Sequence, residues 1–207
     1  MNVRCLELGA LDTNCYVVWD DPLCGIVIDP ADEADKILNL IRQEGLHITA
    51  VVLTHAHFDH MLAAEAVCAA TGAPLYVGAG DEAALSDPIR NLSGLFSSDV
   101  PLTVSGGRVL RDGDTLSCEG ERLLVMETPG HTPGCICLLG DGVLFAGDTL
   151  FFGSIGRLDF PGGDPAAMSR SLERLMTLPP DTIVYSGHGP ATTIGREVTH
   201  NPYMLRV

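Results

Sequence analysis

The sequence predicts a four-layer α/β sandwich, in which two β-sheets lie face to face and helices cover both outer surfaces. Three patterns point to it. The first half alternates short apolar runs with helical spacing, and from about Val104 the chain is mostly short strands closed by tight turns. In addition, four of the apolar runs end in a segment rich in histidine, carboxylate and glycine. Alternating strand and helix builds a parallel sheet with helices packed on it, whereas hairpin-linked strands build an antiparallel one. The 207 residues suit one domain, spanning 1–207, with ample chain for a core.

Taken in order, Cys15 to Trp19 and Gly25 to Ile28 read as strands, because β-branched and aromatic residues cluster there. Ala34 to Glu44 places Ile37, Leu38 and Ile41 on one side of a helix. Ala50 to Leu53 is a continuous apolar run, the mark of a strand buried on both faces. His60 to Thr71 reads as an alanine-rich helix stopped by Gly72, and Pro74 to Val77 as the next strand. Gly80 to Ser105 reads as a helix followed by a crossover. Its Leu92, Leu95 and Phe96 stand at a spacing that usually faces a core, with an apolar lid as the alternative. The second series comprises strands Arg108 to Leu110, Leu116 to Cys118, Arg122 to Glu127, Cys135 to Leu139, Val143 to Ala146 and Ile183 to Tyr185, with one helix, Pro165 to Leu178, among them. Turns at Asp112-Gly113-Asp114, Cys118-Glu119-Gly120 and Gly140-Asp141-Gly142 mark antiparallel pairing.

Composition removes several function classes. Twelve Lys and Arg stand against 27 Asp and Glu, a net charge of −15, which argues against a nucleic-acid partner, whose affinity rests on basic surface. No stretch approaches the roughly 20 apolar residues of a spanning helix, and the start lacks a basic segment followed by an apolar run. The expectation is a cytoplasmic protein with no membrane partner; oligomeric state is not legible. Seven cysteines, an odd number without a CxxC pair, read as reduced thiols. Cys135 and Cys137 share one face of a strand and read as packing residues.

The densest chemistry is Thr54-His55-Ala56-His57-Phe58-Asp59-His60, three imidazoles and a carboxylate directly after an apolar strand. Imidazole and carboxylate are standard transition-metal ligands, and no turn requires three histidines. The C-terminal end of a strand is also where open α/β sheets place their ligand crevices. Three further segments repeat the design of strand, glycine and ligand: Thr128-Pro129-Gly130-His131, Phe145-Ala146-Gly147-Asp148 and Ser186-Gly187-His188. Glycine allows the sharp turn and close backbone approach that a tight site needs. Five of the seven histidines fall in these segments, leaving His47 and His200 as bystanders.

With these four motifs in this order the chain resembles the metallo-β-lactamase superfamily, and within it the short glyoxalase II-like (hydroxyacylglutathione hydrolase-like) hydrolases. The resemblance runs from Thr13-Asn14-Cys15-Tyr16 through Ile28-Asp29-Pro30 to Asn201-Pro202-Tyr203. It implies an αββα sandwich that holds two divalent metal ions. One ion would be held by His55, His57 and His131, the second by Asp59, His60 and His188, with Asp148 bridging. Zinc is the expected metal, with iron or manganese as alternatives, because histidine and carboxylate ligands accept all three. Asp59 and Asp148 are the candidate catalytic carboxylates. The implied activity is hydrolysis of a small thioester, acyl-glutathione or a relative, through a metal-bridging hydroxide. A thiol of pKa about 8.5 departs without the protonation that an amide nitrogen requires, which favours thioester over lactam.

Arg157 stands where glyoxalase II enzymes carry a basic residue for a glutathione carboxylate, and it is the substrate-binding candidate. An ion pair with Asp159 or Asp164 is the plainer reading of the same residue. Where the larger glyoxalase II enzymes place an aromatic residue two positions on, this chain has Asp159, and their C-terminal helical domain has no counterpart. The run Gly156-Arg157-Leu158-Asp159-Phe160 also resembles persulfide dioxygenases, in which His55, His131 and Asp148 would hold a single iron. That is the alternative function.

Overall fold

The computed structural model describes residues 1–20, 23–96, 102–118 and 121–206. Glu119 and Gly120 of the expected turn Cys118-Glu119-Gly120 and part of the crossover before Ser105 lie outside the described residues. The first sheet is ordered β1 (Asn2–Leu8), β2 (Thr13–Asp20), β3 (Cys24–Ile28), β4 (His47–Leu53), β5 (Leu75–Gly78) and β6 (Arg108–Leu110). Pairing is antiparallel from β1 to β3 and parallel from β3 to β6. The parallel crossovers are made by α1 (Ala34–Glu44), by α2 (Ala64–Thr71), and by a 3-10 helix, Ala79–Ser86, followed by the short α3 (Ser93–Phe96).

The second sheet runs β7 (Thr115–Cys118), β8 (Glu121–Glu127), β9 (Ile136–Leu139), β10 (Val143–Gly147), β11 (Ile183–Ser186) and β12 (Thr192–Thr193). It is antiparallel except at β10 and β11, where α4 (Pro165–Leu175) makes the crossover; α5 (Ile194–His200) follows β12. Asp164 starts α4 by accepting from the backbone N–H groups of Ala166 and Ala167 at 2.8 and 3.0 Å, with Pro165 in the first turn where its missing N–H costs nothing.

Three apolar layers account for the expected sandwich. Strand β2 sends Tyr16 and Val18 between the sheets and Cys15, Val17 and Trp19 toward α1 and α2, so it is buried on both faces and reads as one apolar run. Ile26, Ile28, Ala50 and Val52 meet Leu123, Val125, Ile136 and Leu138 in the middle layer. Met168, Leu172 and Ile194 cover the outside of the second sheet. At the centre the rings of Tyr16, Phe145 and Tyr185 lie 5.3 to 5.4 Å apart, and each such pair adds about 0.5–1.5 kcal/mol beyond its buried area. Among the described residues no helix is long and apolar enough to cross a membrane.

Several expectations are corrected. Strand β1 was not anticipated: it is an edge strand whose Arg4, Cys5 and Glu7 are exposed, so its identity comes from full pairing with β2. β12 and α5 were likewise not anticipated. The helix expected from His60 begins at Ala64. The chain first makes a 3-10 turn, Phe58–His60, and the Ala63 N–H is held by the Pro30 carbonyl at 3.0 Å, an anchor from distant sequence. Of the expected core trio, Leu92 is buried while Leu95 and Phe96 are exposed. The reading of seven reduced thiols fails at Cys24, which is disulfide-bonded; Cys5, Cys15, Cys68, Cys135 and Cys137 are free. Strand β3 meets β7 across the sandwich, a proximity that spacing in the sequence does not reveal.

Candidate metal centre

The ends of β4, β8, β10 and β11 carry the four ligand-rich segments, and the fold brings them to one place. The Ile136 N–H donates to the Thr54 carbonyl at 2.9 Å and so joins the two sheets beside the site. The Gly187 N–H donates to the Gly147 carbonyl at 2.8 Å, which sets Asp148 and His188 side by side. Two of the glycines are obligatory. Gly147 has φ +47, and a side chain there would strike Thr54. At Gly187 a Cβ would sit 2.2 Å from Asp148 Oδ1.

The Thr13-Asn14-Cys15-Tyr16 motif acts from β2. The Thr13 hydroxyl donates to Asp59 Oδ2 at 3.0 Å. Asn14 Nδ2 and the Tyr16 hydroxyl both donate to the Ser186 carbonyl, at 3.0 and 2.6 Å, and Asn14 Nδ2 reaches the Gly189 carbonyl at 2.9 Å. These bonds hold the loop that bears His188.

Seven side chains converge, in three overlapping groups: His55, His57 and His131; His55, His60 and Asp148; and Asp59, His60 and His188. Within the first group His57 Nδ1 lies 3.1 Å from His55 Nε2 and 2.9 Å from His131 Nε2. Asp148 faces both sides. Its Oδ2 is 3.6 Å from His131 Nε2 and 3.8 Å from His188 Nε2, and its Oδ1 is 3.4 Å from His60 Nε2. His60 Nε2 and His188 Nε2 are 3.5 and 3.4 Å from Asp59 Oδ2.

The outward nitrogens fix the tautomers. His131 Nδ1 meets the Arg157 carbonyl at 2.7 Å, His188 Nδ1 the Leu11 carbonyl at 3.1 Å, and His60 Nδ1 the Asp29 carboxylate at 2.9 Å. These partners only accept, so each Nδ1 carries the proton and each Nε2 turns a lone pair inward. The Thr54 hydroxyl donates to Asp29 Oδ2 at 2.7 Å and is left to accept from His55 Nδ1 at 3.2 Å, with the same result.

This arrangement fits metal ions. His60 Nε2 and Asp148 Oδ1 are buried without a hydrogen-bond partner, and so is His57 Nε2, on the far side of a ring whose Nδ1 points to the cluster. Buried polar atoms are rarely left so, and a cation between His60 and Asp148 satisfies both. Charge agrees. Burial, then the neighbouring imidazoles, hold His55 well below its usual range and push His57 down to about 3, the neutral state that coordination requires. Burial also opposes a charge on His60, but the carboxylates of Asp59, Asp148 and Asp29 outweigh it and push His60 up to about 10. His188 is raised against burial by Asp59 and Asp148. His60 therefore holds a proton that a bound cation would replace.

Two residues to which sequence reasoning gave no role organise the site. Asp29, buried at the end of β3, accepts from the Thr54 N–H and hydroxyl, both at 2.7 Å, as well as from His60. It too is a carboxylate at the end of an apolar strand, which was the available signal. Asp81, also buried, accepts from the Ala56 N–H at 3.0 Å, the Thr132 hydroxyl at 2.7 Å and the Gly134 N–H at 2.8 Å. It locks the loop of His55 and His57 to the loop of His131. Nothing in its local sequence marks it.

A cavity of about 440 Å³ opens over the cluster. Phe58, Phe96, Phe160 and Ile155 form much of its wall, and Arg157 lines it as well. The Arg157 guanidinium is already engaged: Nε and Nη2 donate to the two oxygens of Asp159 at 2.8 and 2.7 Å, in an exposed pair. His47 and His200 are exposed and stand outside the candidate groups, and Cys135 and Cys137 are buried, with burial pushing the Cys137 thiol up to about 11.

Comparison with known proteins bears on the family and the fold. The family model of the metallo-beta-lactamase superfamily matches residues 8–188. The hydroxyacylglutathione hydrolase GloC of Haemophilus influenzae is 32% identical over 208 residues, covering 99% of this chain and 98% of that one. Among solved structures, BLEG-1 B3 metallo-beta-lactamase is 36% identical with a TM-score of 0.92, covering 98% of this chain and 99% of its own. TTHA1623 in a di-iron-bound form is 37% identical with a TM-score of 0.87, covering 97% and 100%. ETHE1 from Myxococcus xanthus is 30% identical with a TM-score of 0.79, covering 98% and 84%.

Proposed function

The chain belongs to the metallo-beta-lactamase superfamily, and from that premise we propose that it is a binuclear metal-dependent hydrolase acting on a small thioester, acyl-glutathione or a related compound. The observation that carries the reading is Asp148, which offers one oxygen toward His131 and the other toward His60, between two sets of inward-facing imidazole nitrogens. We assign His55, His57 and His131 to one ion, Asp59, His60 and His188 to the second, and Asp148 to both. Zinc is the first choice, with iron or manganese as alternatives.

When bound, two divalent ions supply a water that ionises near neutral pH and polarise the carbonyl to be attacked. The residues of the chain do the rest. Asp29 and the Arg157 and Leu11 carbonyls keep three imidazoles in the tautomer that points a lone pair inward. Thr13 fixes Asp59, so the carboxylate opposite His188 keeps its position. Phe58, Phe96 and Phe160 line the cavity beside the ligands, where they would shield a bound acyl group from solvent. A thiolate is a good leaving group, so no further general acid is needed for a thioester.

The single-iron persulfide oxidation reading ranks second. The run Gly156 to Phe160 and the likeness to ETHE1 count for it. The convergence of Asp59, His60 and His188 as well as His55, His57 and His131 counts for two ions. The test is thiol release from a panel of acyl thioesters by metal-loaded protein, alongside oxygen uptake with glutathione persulfide. Thioester turnover above 10⁴ M⁻¹ s⁻¹, on the order of an ordinary enzyme, supports the proposal. Oxygen uptake without thiol release overturns it.

A further inference from the structure

We propose that the cavity selects thioesters with an apolar acyl group and a leaving thiol that carries no carboxylate, and that the Arg157–Asp159 pair sets the second preference. This rests on the hydrolase reading and narrows its substrate away from acyl-glutathione toward the related thioesters of neutral thiols.

The acyl preference comes from the wall. Phe58 and Phe96 stack at 6.0 Å, Phe96 meets the edge of Phe160 at 6.0 Å, and Phe160 meets the edge of His57 at 6.1 Å. An aromatic surface thus runs from the mouth to a candidate metal ligand. Phe96 is 59% exposed and Leu11, which also lines the cavity, is 52% exposed. Large apolar side chains grouped in the open around a cavity mark a surface that gains by being covered.

The preference for a neutral thiol comes from the cation. All 12 Lys and Arg of the chain fall within the described residues, and among them Arg157 alone lines the cavity. Its Nε and Nη2 fork is filled by Asp159, and its guanidinium carbon lies 4.0 Å from the centroid of Phe160. The two-pronged contact that a substrate carboxylate would make is therefore already made. An incoming carboxylate has to displace one tethered two residues away, whose effective concentration is high, or take the end-on edge of a guanidinium whose charge Asp159 already offsets. The paired Arg157 instead lies over the Phe160 ring, an arrangement that suits an uncharged chain beside it.

The experiment compares one acyl group on two thiols, phenylacetyl-N-acetylcysteamine and phenylacetyl-glutathione, with zinc-loaded wild type, Asp159→Asn and Phe96→Ala. Wild type is expected to show the higher kcat/KM on the neutral thioester. Asp159→Asn is expected to shift the ratio toward the glutathione ester by about twofold to fivefold, the range of an exposed ion pair, through KM. Phe96→Ala is expected to lower kcat/KM for phenylacetyl relative to acetyl thioesters roughly tenfold. A wild-type preference for the glutathione ester, or a ratio that Asp159→Asn does not move, overturns this inference while leaving the hydrolase reading intact. Hydrolysis of neither ester by protein that carries its metals overturns the hydrolase reading itself. Both side chains are exposed, so the variants should fold.

Discussion

Replacing Asp29 by asparagine removes an acceptor from a carboxylate that has none to spare. Oδ1 takes the Thr54 N–H at 2.7 Å, and Oδ2 takes both the Thr54 hydroxyl at 2.7 Å and His60 Nδ1 at 2.9 Å. An amide can present its NH₂ on either side. Turned toward His60, it opposes an N–H with an N–H and drives the imidazole proton to Nε2, where the lone pair for the metal is needed. Turned toward Thr54, it opposes the backbone N–H and disturbs the start of the His55 loop. Either way a buried donor loses its partner, a loss of about 1–3 kcal/mol. About 1.4–2.7 kcal/mol corresponds to a tenfold to hundredfold weaker metal affinity, the usual effect of removing a partner behind a ligand. The assay is competition with a chelator of known affinity, with circular dichroism to confirm folding. Unchanged affinity in a folded Asp29→Asn protein would refute the reasoning that Asp29 sets the His60 tautomer.

Three other outcomes are expected. His57→Ala should lose metal and nearly all thioesterase activity while the fold survives, which elemental analysis and circular dichroism would check; wild-type metal content would contradict the assignment. Gly187→Ala should displace Asp148, since the added carbon would lie 2.2 Å from its Oδ1, and a variant with full metal content and rate would sink the close-approach argument. Metal loading near pH 7.5 should release protons. His60 is raised from 6.5 to about 10 by its carboxylates, so in the metal-free protein its charge stabilises fully below about 6.5 and that contribution is lost as pH rises through about 10. A bound cation replaces that proton, so affinity should climb with pH across this window, and calorimetry in buffers of different ionisation enthalpy would detect it. Uptake without proton release would show that His60 is neutral before the metal arrives.

The layers of the fold were legible because their signal is local. Continuous apolar runs such as Ala50 to Leu53 occur where a strand is covered on both faces, and Gly140-Asp141-Gly142 closes the β9–β10 hairpin, whereas Asp112-Gly113-Asp114, expected to mark antiparallel pairing, instead carries the chain from β6 in the first sheet to β7 in the second. The edge strand β1 was not legible, since its exposed Arg4, Cys5 and Glu7 gain strand character only from pairing with β2. The delayed start of α2 has the same kind of cause: the Pro30 carbonyl and Asp29 hold Ala63 and His60 from another part of the chain. At the site, the seven candidate ligands announced themselves by type and by their place at strand ends. Asp81 did not, because its work is to accept three hydrogen bonds from two loops that meet only in the folded chain. The ion pair of Arg157 with Asp159 was visible as a possibility in the sequence, but its bidentate geometry and its stacking on Phe160 needed the structure.

Metal identity and stoichiometry per chain, measured by elemental analysis on protein purified without added metal or chelator, test the binuclear reading most directly. The geometry around Asp148 predicts close to two equivalents of divalent metal, as zinc or as a mixture with iron or manganese. One equivalent of iron alone would contradict it, and would turn the function toward oxidation of a persulfide.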